Sequence, residues 1–154
     1  MFHKITNDMK LKIILLYIVM FCNCSLYAQQ GLNVNPLFQG KIVPQEQLIE
    51  VKVKGKSLSK YNLSYYHSIR FKATPAYLKV MYELVEKDEA NAIGMEKSVK
   101  NKNTTKIISL VPEGQLNRFL CVITETNGKE TNVTMVYMDG KVKDINELRK
   151  LINK

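Results

Sequence analysis

Covalent catalysis needs an activated nucleophile and a base within hydrogen-bond reach. Beyond residue 28 the chain offers one cysteine, Cys121, and one histidine, His67. Cys121 stands in the apolar run Arg118–Thr124, where a thiol behaves as a small hydrophobe and its thiolate is disfavoured. His67 lies between Tyr66 and Ser68 in an extended stretch. Both read as structural residues, not as a dyad. No serine sits in a Gly-x-Ser-x-Gly elbow, the turn that exposes a hydrolase nucleophile. One His and one Cys fall short of the three or four ligands of a zinc site. The chain has no Asp-x-Asp-x-Asp-Gly loop, no phosphate-binding loop and no dinucleotide fingerprint, so neither a metal nor a cofactor is expected. Glu83, Glu86, Asp88 and Glu89 could supply the paired carboxylates of sugar cleavage, yet at helical spacing they read as a solvated face. The catalytic inventory is spare and points away from an enzyme.

Basic and aromatic residues are the better candidates for binding. Lys52, Lys54 and Lys56 recur every second residue, and Lys97, Lys100, Lys102 and Lys106 form a second set in a polar stretch. Strand lysines discourage edge pairing, and together the two sets could meet an anionic envelope component or an acidic protein surface. Tyr61, Tyr65 and Tyr66 concentrate beside His67. Aromatics can stack on sugars or anchor an interface, and in a strand Tyr65 and Tyr66 point to opposite faces, so at most one is expected to be exposed. The candidate binding residues are therefore Lys52, Lys54, Lys56, Tyr65, Tyr66, Lys100 and Lys102.

Where the chain goes bears on its partners. Lys4, Lys10 and Lys12 precede the apolar run Ile13–Cys22, and Leu26-Tyr27-Ala28 follows. Ten apolar residues are half of the roughly 20 that a membrane span requires. A basic start, a short apolar core and a small exit residue read as a secretory signal over residues 1–28, with Met1 or Met9 as its start. Phe21 precedes Cys22 and Asn23 precedes Cys24, whereas a lipid anchor calls for a small residue there, so anchoring at either cysteine is the lesser reading. Export makes nucleic acid a poor partner and leaves no spanning segment after cleavage. Of the 154 residues and net charge of +9, cleavage removes 28 residues, three Lys and one Asp, leaving 126 residues at +7. One remaining cysteine cannot form an internal disulfide, and a single domain of that size can fold on its own core.

These residues need a frame. Residues 29–47 hold two Pro and two Gly without a sustained period and read as an extended lead-in, with Leu37 and Phe38 tucked against the domain 48–154. Ile49, Val51 and Val53 alternate with Glu50, Lys52 and Lys54, the pattern of a half-buried strand with its apolar side inward. A second extended segment is expected over Tyr65–Lys72. Thr74-Pro75 opens a helix, whose Leu78, Met81, Tyr82 and Val85 form the apolar stripe. Residues 96–105 read as a polar loop. Three strands follow, Ile107–Val111, Arg118–Thr124 and Thr131–Met138, the last two joined at Asn127-Gly128, a hairpin signal. The middle one is apolar on both faces and is expected to be central. Asp144 caps a closing helix, Ile145–Ile152. The expected fold is α+β, an antiparallel sheet of four or five strands with both helices on one face.

The leader ending Ser25-Leu-Tyr-Ala-Gln-Gln30, the Lys54-Gly-Lys56 strand end, Tyr61-Asn-Leu63, the Thr74-Pro75 helix start and Asp139-Gly-Lys-Val-x-Asp144 together resemble the small exported Bacteroidetes domains of unknown function. The resemblance spans most of the chain after the leader and includes no catalytic signature. It implies a periplasmic or secreted location and transfers no functional residue. The expected function is a non-catalytic binding or accessory domain of the bacterial cell envelope. The rival readings are a small carboxylate-dependent hydrolase of envelope glycans and a structural protomer that assembles through its edge strands.

Overall fold

Alternating β-branched and aromatic residues build six antiparallel strands: β1 (Ile49–Lys54), β2 (Leu63–Ala73), β3 (Gly94–Lys100), β4 (Asn103–Glu113), β5 (Leu116–Asn127) and β6 (Glu130–Gly140). They form one open sheet in the order β1-β2-β6-β5-β4-β3. The computed structural model describes Gln29 and residues 31–152, so the expected leader, with Cys22 and Cys24, lies outside the described residues. Every element named here belongs to the compact unit Leu32–Lys154.

The fold is α+β with a purely antiparallel sheet, as expected, but it has six strands where four or five were anticipated. The added strand is β3, in the stretch read as a polar loop. It pairs residue for residue with β4, from Gly94↔Ser109 to Lys100↔Asn103. Asn101 and Lys102 turn the chain with φ of 50° and 65°, the left-handed conformation that a two-residue hairpin turn demands. An edge strand that buries little carries polar residues on both sides, so Glu96, Lys97, Ser98 and Lys100 left no hydrophobic period to detect.

A second correction concerns the helices, which lie on opposite faces. Thr74 caps α2 (Pro75–Glu89) by accepting the Tyr77 N–H at 3.2 Å. On the first face, Met81 and Val85 of α2 join Ile69, Phe71, Ile108, Leu110, Leu120, Val122, Val133, Met135 and Tyr137 of the sheet. The supposed lead-in also enters this core through Leu32, Val34, Val43 and the short helix α1 (Asn35–Phe38), whose Leu37 and Phe38 are buried. On the second face, Val142 and the fully buried Leu148 of α3 (Ile145–Ile152) cover Ile107, Phe119, Val136 and Met138. Asp144 caps α3 by accepting the Glu147 N–H at 2.8 Å, while Glu147 accepts the Lys143 N–H. Both faces need cover because β5 and β6 are apolar on both sides, each buried large side chain contributing about 1.5–3 kcal/mol.

The third correction is the orientation of β1. Its register with β2 pairs Glu50 with Ile69 and Lys52 with His67, which puts the charged side of β1 on the larger core's face. Ile49 and Val51, expected inside, are 67% and 47% exposed on the other. A period of two shows that a strand has two faces but not which one a helix will cover.

Candidate binding face

Two polar constellations emerge, one on each face. On the first, His67 is 3% exposed, packed on the Phe38 ring at 4.8 Å between centroids, and its Nε2 lies 2.7 Å from Glu50 Oε1. Burial holds the imidazole below its ordinary pKa, although the bond to Glu50 works the other way. Burial would raise the Glu50 carboxyl, but bonds from His67, Lys52 and Gln45 together carry it below the usual range. The arrangement is a neutral imidazole donating Nε2–H to a carboxylate. Gln45 Nε2 donates to the other Glu50 oxygen at 2.8 Å. Nearby, the buried Tyr137 hydroxyl donates to Asp139 Oδ2 at 3.3 Å. Asp139 stands above the ordinary carboxylate range chiefly because it is buried, beside Arg118, which pairs with it in register. Arg118 Nε donates to the Val111 carbonyl at 2.9 Å. The buried His67, Tyr137 and Asp139 each find a polar partner here, the ordinary condition of polar groups in a core.

The second face is different in kind. Helix α3 packs on the half containing Phe119 and Met138, and among the described residues no helix covers the half toward the β3–β4 and β5–β6 turns. Two adjoining depressions, of about 390 and 350 Å³, lie there. Ser98, Lys100, Asn103, Thr105, Ile123 and Glu125 line the first; Arg70, Asn103, Glu125, Thr126 and Asn132 are in the second. Strand alternation aims these side chains, Thr126 excepted, outward on this face from five different strands. Arg70 holds Glu125 across the shared wall at 3.0 Å, and Asn103 Oδ1 accepts the Thr126 N–H at 3.2 Å. Exposed Arg70, Lys72, Lys100, Lys102 and Lys129 surround this end against Glu125 and Glu130, an excess of positive charge. The arrangement offers donors, acceptors and a surplus of positive charge.

The residues singled out from the sequence do not converge. Lys52 and Lys54 lie on β1, where Lys54 Nζ sits 5.3 Å above the Tyr65 ring, and Lys56 opens the 3-10 turn Lys56–Tyr61. Lys100 and Lys102 belong to the opposite edge, five strand spacings away, roughly 24 Å. Tyr65 and Tyr66 do take opposite faces. Tyr65 packs on His67 and Tyr137, Tyr66 on the α3 core, and both are half-buried. Of the seven, Lys100 lines a depression, and Lys102 is a residue of the β3–β4 turn. Arg70, Asn103, Glu125 and Asn132 were missed because they are scattered through four strands and become neighbours only across the sheet.

Cys121 and His67 occupy opposite faces, since β6 places Cys121 across from Val136 and His67 across from Tyr137. Burial pushes the Cys121 thiol up to about 11, which keeps it protonated at neutral pH. Of the acidic cluster on α2, Glu83 and Glu86 are exposed, but Asp88 is 5% exposed and Glu89 pairs with Lys106. Asp88 binds the segment before α1. Among the described residues, no group of three or more His, Cys, Asp or Glu is placed to hold a metal ion, and no helix is long and apolar enough to cross a membrane. Residues 21–152 match a family of unknown function, DUF6108. No curated protein and no solved structure matches the chain.

Proposed function

Since the chain belongs to DUF6108, a family of unknown function, we propose a role from chemistry alone: it is an exported, non-catalytic binding or accessory domain of the bacterial cell envelope that holds an anionic polysaccharide on the uncovered half of its second sheet face. The observation that carries this reading is the paired depression lined by Arg70, Lys100, Asn103, Asn132 and Thr105. A rigid sheet presents hydrogen-bonding groups and positive charge to solvent there, while the apolar half of the same face is covered by α3. Export rests on the basic start, ten-residue apolar core and Ala28 exit of the leader. The net charge of +7 that remains once the leader is removed favours encounter with polyanions.

The test is titration of the protein with polygalacturonate and, in parallel, with neutral dextran. Polygalacturonate is expected to bind and to weaken as salt rises, because exposed charges are screened within about 8 Å at physiological ionic strength. Replacing Arg70 and Lys100 by Glu should weaken binding about tenfold, or ~1.4 kcal/mol. Equal affinity for both polymers, or no effect of the double substitution, refutes the reading.

A further inference from the structure

An open sheet has two free edges, and here they differ in what they invite. Strand β1 is one of them. Gly55 N–H donates to the Ser64 carbonyl, one step beyond the Lys54↔Tyr65 pair. Hydrogen-bonded pairs alternate along an antiparallel ladder, so the peptide groups of Ile49, Val51 and Val53 face β2 and those of Glu50, Lys52 and Lys54 face outward. The two-residue β5–β6 turn closing Asn127↔Glu130 gives the same parity when counted across β6 and β2. The outward groups carry the charges, and Ile49, Val51 and Val53 form an apolar row on the second face.

We propose that two copies of this chain pair edge to edge through β1, antiparallel about a two-fold axis at Val51, into one continuous twelve-stranded sheet. The parity allows only registers that join outward residues to outward residues. Centring on Glu50 opposes two carboxylates, and centring on Lys52 opposes two ammonium groups; like charges directly opposite destabilise a pair. Centring on Val51 sets Glu50 against the partner's Lys52 and Lys52 against the partner's Glu50. It also sets Ile49 against the partner's Val53 and Val51 against itself, so the exposed apolar rows of the two copies lie side by side. A self-complementary patch is what a two-fold interface requires. The other edge does not offer this. In β3 the outward residues are Met95, Lys97 and Val99, and the register that best matches their apolar side chains opposes Lys97 to Lys97.

The pairing is independent of the polysaccharide reading, since it uses the edge of β1 and not the depressions. The test is sedimentation of the protein recovered after expression of the full 154-residue sequence, together with Val51→Lys and Lys52→Glu. Both side chains are exposed, so the variants should keep the wild-type circular dichroism. A concentration-dependent dimer is expected, with each substitution weakening it at least about tenfold. In a background with Cys22, Cys24 and Cys121 replaced by Ser, Val51→Cys should cross-link on mild oxidation, because the axis brings its two copies together, and Ile49→Cys should not. A monomer up to about 1 mM, species larger than a dimer, insensitivity to both charged variants, or cross-linking at residue 49 in place of 51 each overturns the proposal.

Discussion

Asp88 ties the segment before α1 to the body of the protein, and its removal gives a sharp test of how that segment is held. One carboxylate oxygen accepts the Asn33 backbone N–H at 2.8 Å and Asn33 Nδ2 at 2.9 Å; the other accepts the Val34 N–H at 3.0 Å. Val34 is fully buried, whereas Asn33 is exposed. In Asp88→Ala the Asn33 donors can turn to water, but the Val34 N–H cannot. Stranding one buried donor costs about 1–3 kcal/mol, and a hydrogen bond to a charged group contributes about 1.5–3. Rehydration at Asn33 and the relief of a buried charge offset part of that, so the expected loss is about 2–4 kcal/mol. Asp88→Asn keeps one acceptor oxygen and should lose roughly half as much. With a urea slope of about 1–3 kcal/mol per molar, the Ala variant should unfold roughly 0.7–4 M earlier. Hydrogen exchange should show the amides of Leu32–Val43 losing protection before those of β5 and β6, because the segment is a peripheral cooperative unit. A loss under about 1 kcal/mol, or an unchanged Val34 amide in a destabilised protein, would refute the reasoning.

Three further outcomes follow from single sites. A Cβ on Gly140 would stand 2.3 Å from the Asn62 carbonyl oxygen and 2.6 Å from Leu63 Cα, both backbone, so Gly140→Ala should cost about 3 kcal/mol or more in urea unfolding; a cost below about 1 kcal/mol would show that the β2 entry yields easily. Thr74→Ala removes the α2 cap and should cost about 1 kcal/mol, with Thr74→Ser restoring most of it; equal midpoints for Ala and Ser would show that the hydroxyl is idle. Because burial holds His67 and hydrogen bonding holds Glu50 below their unfolded values, their stabilisation is full above about pH 6.5 and lost as pH falls, His67 first. Asp139, raised by burial, has the opposite sign, its contribution fading as pH rises through its folded value. His67→Gln should therefore flatten the decline of urea midpoints from pH 7 to pH 5; an unchanged slope would mean that His67 is not the titrating group.

Local chemistry was legible wherever a few adjacent residues decide the outcome. Thr74-Pro75 and Asp144 start helices because capping involves only the next three peptide groups. Gly128 turns the β5–β6 hairpin, together with Lys129, because it takes a φ of 62° at no steric cost, so the Asn-Gly signal reads one residue early. The run Arg118–Thr124 is apolar on both sides, and it lies within a strand with neighbours on both edges. That double-sidedness calls for cover on two faces, yet both helices were expected on one, and it is the folded sheet that sets α2 and α3 on opposite sides. What alternation could not say is which face of β1 each helix would leave open, since that depends on register with β2 and on the Glu50–His67 bond 17 residues away in sequence. Strand β3 escaped for a related reason: its partner β4 supplies the hydrogen bonds, while its own side chains bury little. Asp88 looked like one more solvated carboxylate until the fold brought Asn33 and Val34 to it across more than 50 residues. The binding face is the extreme case. Arg70, Lys100, Asn103 and Asn132 have no common spacing, and only the lateral stacking of β2, β6, β5, β4 and β3 makes them neighbours. Propensity, capping and turns act within one or two turns of chain and so belong to the sequence; face, edge and site are set by contacts between distant segments, which exist only in the folded sheet.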